Sequence, residues 1–541
     1  MGRVFTPEGK VAMTKYFEEL TSCDGVAATN LFPDIRESRP YRQHGCVFYA
    51  ECDNDVYHEA FGYHSEGEKK PMDKDSIFSI YSMSKLITTL VGLKCYELGL
   101  FQWNDNVDDF IPELSPQYLQ VVTGIGTKEY LETVIDSESQ IHEDPNPLGL
   151  PTSYYYIAGP CTKHIQMKHL FSQQSGFGGY WYGIPVILAL LNHNTAHDAH
   201  MFAYPGGLEG LITANLYTKF FGSGWTQFWL QEHICTLFKP KDGIESHYFA
   251  TNLESVRHLA HMGTLTEQPG EGQTNGHDFD ILAAVLEVCW EKKYGSFKRF
   301  KDICSDLLFE PLGMHDSGHF VGSNDERHSE LCKRLVPQHF KPLPGDAVTC
   351  VPVGDIFGHF HGQQTFDRGM AGMFSTVTDF AKVLRLLLND GVHRETHTRM
   401  LRSSSISAIL RYKYMPAKFN WFTYIDCVSR NGVWGMGGLR NFGNCGNHNK
   451  DNFSLQLNFQ NINGEISDFQ EDYYGWYGVG DTSFYVFPEK RAFFCFFAQD
   501  FSCYSPGSYC STDREANEGK FKMYGEIIPT RYFLDALACR F

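Results

Sequence analysis

Strand signals lie at the two ends of this chain and its middle reads as helix, an order that leaves few folds open. Gly45 to Cys52 and Val56 to Gly62 are apolar, β-prone runs around the turn Asp53-Asn54-Asp55, which predicts a hairpin. Thr482 to Phe487 and Ala492 to Gln499 flank Pro488-Glu489-Lys490-Arg491 in the same manner. Thr6-Pro7-Glu8 opens a helix to about Leu20, and a second helical stretch, Glu518 to Cys539, closes the chain despite Pro529. Between them Lys85 to Leu98, Ile281 to Trp290, Arg299 to Phe309 and Thr376 to Asn389 carry spaced apolar positions and long helix formers. The predicted class is α+β, an antiparallel sheet flanked by the terminal helices and split by a mainly helical domain. The expected segments are 1–81, 82–410 and 411–541.

Composition narrows the function. With 46 basic against 64 acidic residues the formal charge is -18, so the net field repels nucleic acid and anionic bilayers. Apolar stretches such as Ile184 to Leu191 and Ala492 to Ala498 fall far short of the roughly 20 residues that span a membrane. The first residues alternate charges and lack the apolar core of a secretory signal. Sixteen cysteines without a Cys-x-x-Cys pair indicate neither a zinc knuckle nor a disulfide scaffold, and an intracellular, cytoplasmic setting is expected. Met1-Gly2-Arg3-Val4-Phe5-Thr6 satisfies the myristoylation pattern at Gly2, with an ordinary Thr6 N-cap as the alternative.

Three stretches read as surface elaborations able to carry protein partners: 117–162, 192–252 and the Gly/Asn-rich 432–463. His193, His197 and His200 with Asp198 have helical spacing, yet they lack the glutamate of a His-Glu-x-x-His site and read as a solvated loop. His359 and His361 read likewise, so no metal is expected.

Chemistry concentrates at Ser76 to Lys85, where a short apolar run turns into a helix bearing Ser82 and, three residues on, Lys85. Residues at i and i+3 share a helical face. Backbone N–H groups at a helix start can hold a developing oxyanion, and a buried lysine there has its ammonium form disfavoured. Ser-x-x-Lys can thus supply a nucleophile and its proton acceptor.

The surrounding motifs resemble the serine β-lactamase-like family, in particular its class C-related esterase, peptidase and acyltransferase branch. Val56 to Gly62 is similar to the family's second strand, Phe78 to Lys85 to its nucleophile segment, and Leu98 to Pro112 to its glycine-ended helix. His169 to Phe177, Phe309 to Met314 and Gly369 to Leu384 match three further elements in order. The resemblance implies that Trp476-Tyr477-Gly478-Val479 is the strand at the cleft edge. Ser82 and Val479 N–H would form the oxyanion hole, Gly478 would let the backbone approach, and Trp476 would wall an acyl pocket.

One position departs from the family. Pro269 to Ala283 aligns with the segment that carries a catalytic tyrosine, and Asn275 stands in its place. An alternative register with one gap puts Thr274 and Gly276 there instead. An amide cannot accept and return a proton. His277 in the same loop could supply an imidazole, although a surface histidine ahead of a helix is the plainer expectation. The resemblance therefore implies a serine hydrolase or acyltransferase acting on a small-molecule ester, amide or lactone without a cofactor. The alternative is a catalytically weakened accessory subunit of a larger assembly.

Overall fold

The computed structural model describes residues 5–22, 26–27, 40–41, 43–53, 55–65, 67–126, 128–143, 155–177, 251–262, 264–265, 267–272, 277–319, 326–340, 351–354, 367–411, 433–442, 458–460, 466–468, 473–478 and 480–500. The second terminal helix, the His193 to His200 cluster and the His359-His361 pair lie outside the described residues.

Both ends of the chain feed one eight-stranded antiparallel sheet. Its strands are β1 (Gly45–Cys52), β2 (Asp55–Ser65), β3 (Lys70–Pro71), β4 (Val433–Trp434), β5 (Arg440–Phe442), β6 (Tyr473–Gly478), β7 (Thr482–Phe487) and β8 (Ala492–Ala498), in the spatial order β4-β5-β6-β7-β8-β1-β2-β3. β1 pairs with β8 from Cys46 opposite Ala498 to Cys52 opposite Ala492, which joins the two ends of the sequence at the sheet's centre.

Every residue of β1, β7 and β8 is buried because both faces of the sheet are covered. On one face lies helix α1 (Pro7–Thr21), whose Phe17 ring sits 4.6 Å from Phe48, 5.2 Å from Phe61 and 6.0 Å from Phe496. Thr6 caps α1 by accepting the Gly9 N–H at 2.9 Å. The alternate side chains, among them Val47, Tyr49, Phe484, Phe493 and Phe497, face the main apolar cluster.

That cluster is built on α2 (Ser84–Glu97), α3 (Asp278–Tyr294) and α4 (Val377–Leu388). Phe380 of α4 meets Phe484 at 5.1 Å and Phe497 at 5.9 Å, fastening the helices to the sheet. α2 and α3 approach closely beside Gly92, where an added Cβ would meet the Phe171 ring at 2.8 Å and Leu282 at 3.4 Å.

The described parts of two stretches expected as surface loops form strands and turns. Residues 433–442 extend the main sheet, and their turn Met436–Gly438 buries Met436 against α2. Gly437 there has φ +77° and no room for a side chain, since its Cβ would meet Thr89 Oγ1 at 2.7 Å. Residues 117–162 contribute Gln120–Gly126, Gln140–Glu143 and Tyr155–Pro160 to a four-stranded sheet completed by Thr264–Leu265. Periodicity missed these strands because they are short and broken by glycine or polar residues. Of the third stretch, 192–250 lies outside the described residues.

Candidate active site

The nucleophile segment is a strained turn held from several sides. Phe78–Ser79 pairs with Met373–Ser375, then the chain enters a 3₁₀ turn, Tyr81–Met83, that runs directly into α2 at Ser84. Tyr81 has φ +43°, a left-handed conformation that typically costs a bulky residue about 1–3 kcal/mol and persists only where the surroundings enforce it. Here they do. Ile80 N–H donates to Met373 O at 3.0 Å, Met83 N–H to Ile80 O at 3.0 Å, and Thr482 Oγ1 to Ile80 O at 3.4 Å. The Tyr81 ring is buried and its hydroxyl accepts from Gln338 Nε2.

The turn leaves Ser82 half-buried at the mouth of the helix and Lys85 1% exposed beneath it. Lys85 Nζ lies 2.7 Å from Ser82 Oγ, the contact that the i, i+3 spacing allows. Beside this pair runs the end of β6. A Cβ at Gly478 would meet Ile80 O at 2.4 Å, Thr482 Oγ1 at 2.4 Å and Tyr81 Cβ at 3.1 Å, so only glycine lets the strand lie against the nucleophile turn. Trp476, two residues earlier, is 2% exposed and belongs to the apolar cluster around α2, its ring 4.7 Å from that of Tyr477. Val479 and Asn275 lie outside the described residues.

What flanks Asn275 is described. Ser175 N–H donates to Asp278 Oδ1 at 2.9 Å, Gly270 N–H donates to Gln174 O at 2.9 Å, and Gly176, at φ +87°, approaches Glu267 O too closely for a side chain. The His169 to Phe177 element thus grips the chain on both sides of 273–276. His169 itself accepts the Gln166 N–H on Nδ1 at 3.0 Å, and burial pushes its pKa down to about 4.

His277 is not the surface histidine expected. It is 1% exposed at the N-cap of α3, with Nδ1 3.9 Å from Asp280 Oδ2. Burial lowers its pKa, opposed by Asp280 and assisted by the Arg368 and Lys85 charges. Asp280 bonds Arg368 at 3.1 Å and the Met370 N–H at 3.0 Å. Burial raises the Asp280 pKa, but Arg368 and His277 together outweigh it and hold the carboxyl well below the usual range. Asp278 is the opposite case: burial pushes it up to about 7, against the Ser175 N–H and hydroxyl and the Lys85 charge. Sequence reasoning missed Asp278, Asp280 and Arg368, because acidic residues in a first helical turn look like ordinary partners of the helix dipole.

The chain is similar to several known proteins. The Beta-lactamase family model matches residues 41–216, which take in the Ser82 turn. A lovastatin esterase of Penicillium rubens is 24% identical over 340 residues, 62% of either chain. Penicillin-binding protein 4* of Bacillus subtilis is 34% identical over 82 residues, 15% of this chain and 18% of that protein. The unliganded simvastatin synthase LovD of Aspergillus terreus, in its selenomethionyl form, superposes with a TM-score of 0.57 at 15% identity, covering 98% of both chains. Residues 41–216 thus carry a match to the Beta-lactamase family, and the chain is similar to an esterase over 62% of its length. EstCE1, described as a hydrolase with promiscuous acyltransferase activity, shares the fold at a TM-score of 0.53, 15% identity and 98% coverage of both chains. The chain spans less than two thirds of the length of these curated relatives. At 15% identity the solved structures establish the β-lactamase-like fold and no more. Within that fold the Ser82 turn lies between the sheet and the helices of the main apolar cluster. No helix among the described residues is long and apolar enough to cross a membrane.

Proposed function

We propose that this β-lactamase-like protein is a serine hydrolase or acyltransferase that works through a Ser82 acyl-enzyme on a small-molecule ester, amide or lactone. The observation that carries the reading is the 2.7 Å contact between Lys85 Nζ and Ser82 Oγ, with the lysine buried and the serine half-open. Lys85 takes the Ser82 proton as Oγ attacks the acyl carbon, and the resulting oxyanion is met by the Ser82 N–H with the Val479 N–H. Collapse breaks the bond to the leaving group, which departs with the proton from Lys85. Water then releases the acid, or an acceptor alcohol carries the acyl group away, and Ser82 regains its proton.

Trp476 in place of a cationic residue suits acyl groups without a carboxylate to clamp, so esters are favoured over β-lactams. Asn275 orients a water or carbonyl and leaves proton transfer to Lys85. The test is labelling of the purified full chain by a fluorophosphonate and by a fluorescent penicillin. Labelling by the fluorophosphonate that disappears in Ser82→Ala supports the reading. No labelling, or labelling that survives Ser82→Ala, overturns it.

A further inference from the structure

We propose that Gln338 is a positioning residue for Ser82, whose side-chain amide fastens the Tyr81 hydroxyl and so locks the left-handed turn that sets the nucleophile at the mouth of α2. The inference rests on the Ser82 acylation chemistry above and extends it to a residue 257 positions further along the chain than Tyr81.

Tyr81 comes immediately before Ser82, so its backbone dihedrals fix the direction in which the nucleophile leaves the turn. At φ +43° it stands in a region that a bulky residue leaves unless its surroundings hold it there. Relaxation to negative φ would swing the chain on either side of Tyr81, and Ser82 with it. Both ends of the residue are held against this: its carbonyl accepts the Ser84 N–H, and its hydroxyl accepts from Gln338 Nε2. The ring between them is 2% exposed. With the phenol fixed, Cα cannot turn to an ordinary φ without dragging a buried ring through close-packed surroundings.

Gln338 is in turn placed by backbone bonds on both sides. The chain leaving helix Glu326–Arg334 runs parallel to the entry of the nucleophile turn, where Ile77 N–H donates to Arg334 O at 2.9 Å and Val336 N–H donates to Ile77 O at 2.8 Å. Gln338 then opens the strand Gln338–Phe340, which pairs with Val351–Gly354, and His339 N–H donates to Gln499 O at 2.7 Å. Gln499, just past the end of β8, returns to the turn by donating Nε2 to Ser79 O at 3.0 Å. Its neighbour Asp500 donates its N–H to Gly480 O at 3.0 Å, beside the end of β6. Residues 334–340 therefore form a strap between the nucleophile turn and the sheet, and Gln338, itself 2% exposed, is the side chain that the strap sends to Tyr81. Both partners of this bond are withdrawn from water, so removing one strands a polar group of the other. Gln338 moves no proton and forms no bond to substrate. Its effect reaches Ser82 through Tyr81, and it belongs in the rate of acylation and not in binding.

The experiment uses the full chain and resolves Ser82 labelling by a fluorophosphonate into the reversible affinity KI and the maximal rate kinact. Gln338→Met and Tyr81→Phe should each lower kinact about tenfold, the order expected of one buried hydrogen bond, with KI changed less than about twofold. The double variant should be no slower than either single one, because all three lack the same bond. Gln338→Glu, which can accept from the phenol, should recover part of the loss. In parallel, amide hydrogen exchange in the peptide covering 77–83 should quicken about tenfold in Gln338→Met while exchange in β1 and β8 stays as it was. Should Gln338→Met fail to fold, Tyr81→Phe carries the same test, since it removes the bond and keeps the ring. An unchanged kinact in folded single variants, or losses that add in the double variant, overturns the proposal. Exchange at 77–83 that does not respond, or that quickens equally in β8 as a plain loss of stability would make it, overturns it whether or not Ser82 reacts. Locally quickened exchange with no Ser82 labelling in the unmodified protein sustains the strap and overturns the acylation reading instead.

Discussion

Gly478→Ala is the most discriminating single change in the site, because it adds one methyl group at the contact between sheet and nucleophile. The new Cβ would sit 2.4 Å from Ile80 O and from Thr482 Oγ1, and 3.1 Å from Tyr81 Cβ. Thr482 can rotate its hydroxyl away, whereas Ile80 O belongs to the backbone of the strained turn and already accepts from the Met83 N–H. Bringing that contact to ordinary van der Waals range, roughly 3.4 Å or more, requires the end of β6 and the turn to part by about 1 Å. Overpacking of this kind costs about 1–3 kcal/mol of stability, which a chain with a core this large survives. A misplacement of about 1 Å at a reacting group costs on the order of 100-fold in rate. The assay pairs urea unfolding with the pseudo-first-order rate of Ser82 labelling by a fluorophosphonate. We expect labelling to fall about 100-fold in a protein that remains folded. Thr482→Ala in addition should recover only a small part, since the clash with Ile80 O remains. Unchanged labelling in a folded Gly478→Ala protein would refute the claim that β6 must touch the nucleophile turn.

Three further outcomes follow from the geometry. Lys85→Ala should lower the Ser82 labelling rate by roughly 10²–10⁴ with little change in the urea midpoint, and a smaller loss would mean that another base serves Ser82. Arg368→Met strands the buried Asp280 carboxylate and should destabilise the protein by about 3–5 kcal/mol in denaturant unfolding; a change under about 1 kcal/mol would show that the pair is dispensable. His169 has a folded pKa of about 4, below its ordinary 6.5, so its contribution is fully present above pH 6.5 and lost as the pH falls toward 4. The urea midpoint should drop across that window and do so less in His169→Gln, and identical acid profiles would refute the assignment.

The sequence by itself carried the fold class, because hairpin strands and amphipathic helices announce themselves through local periodicity. β1, β2, β7, β8 and α1 to α4 all fall where pattern and capping residues place them, within a few residues. The Ser82-Lys85 spacing was equally legible, since three residues on a helix start is a local geometric fact. What the sequence could not carry was anything set by contact between distant segments. That Met436–Gly438 docks on α2, and that Gly478 lies against Ile80, depend on how the sheet closes over the helices. His277 read as a surface residue and is buried, and Asp278 read as an ordinary acid at a helix start. Their chemistry comes from desolvation and from the fields of Lys85 and Arg368, which reach α3 only after α2 and the 367–372 segment have packed around it. Local pattern chooses the elements, and charge and burial across elements, which no window of sequence contains, decide which of their side chains can do chemistry.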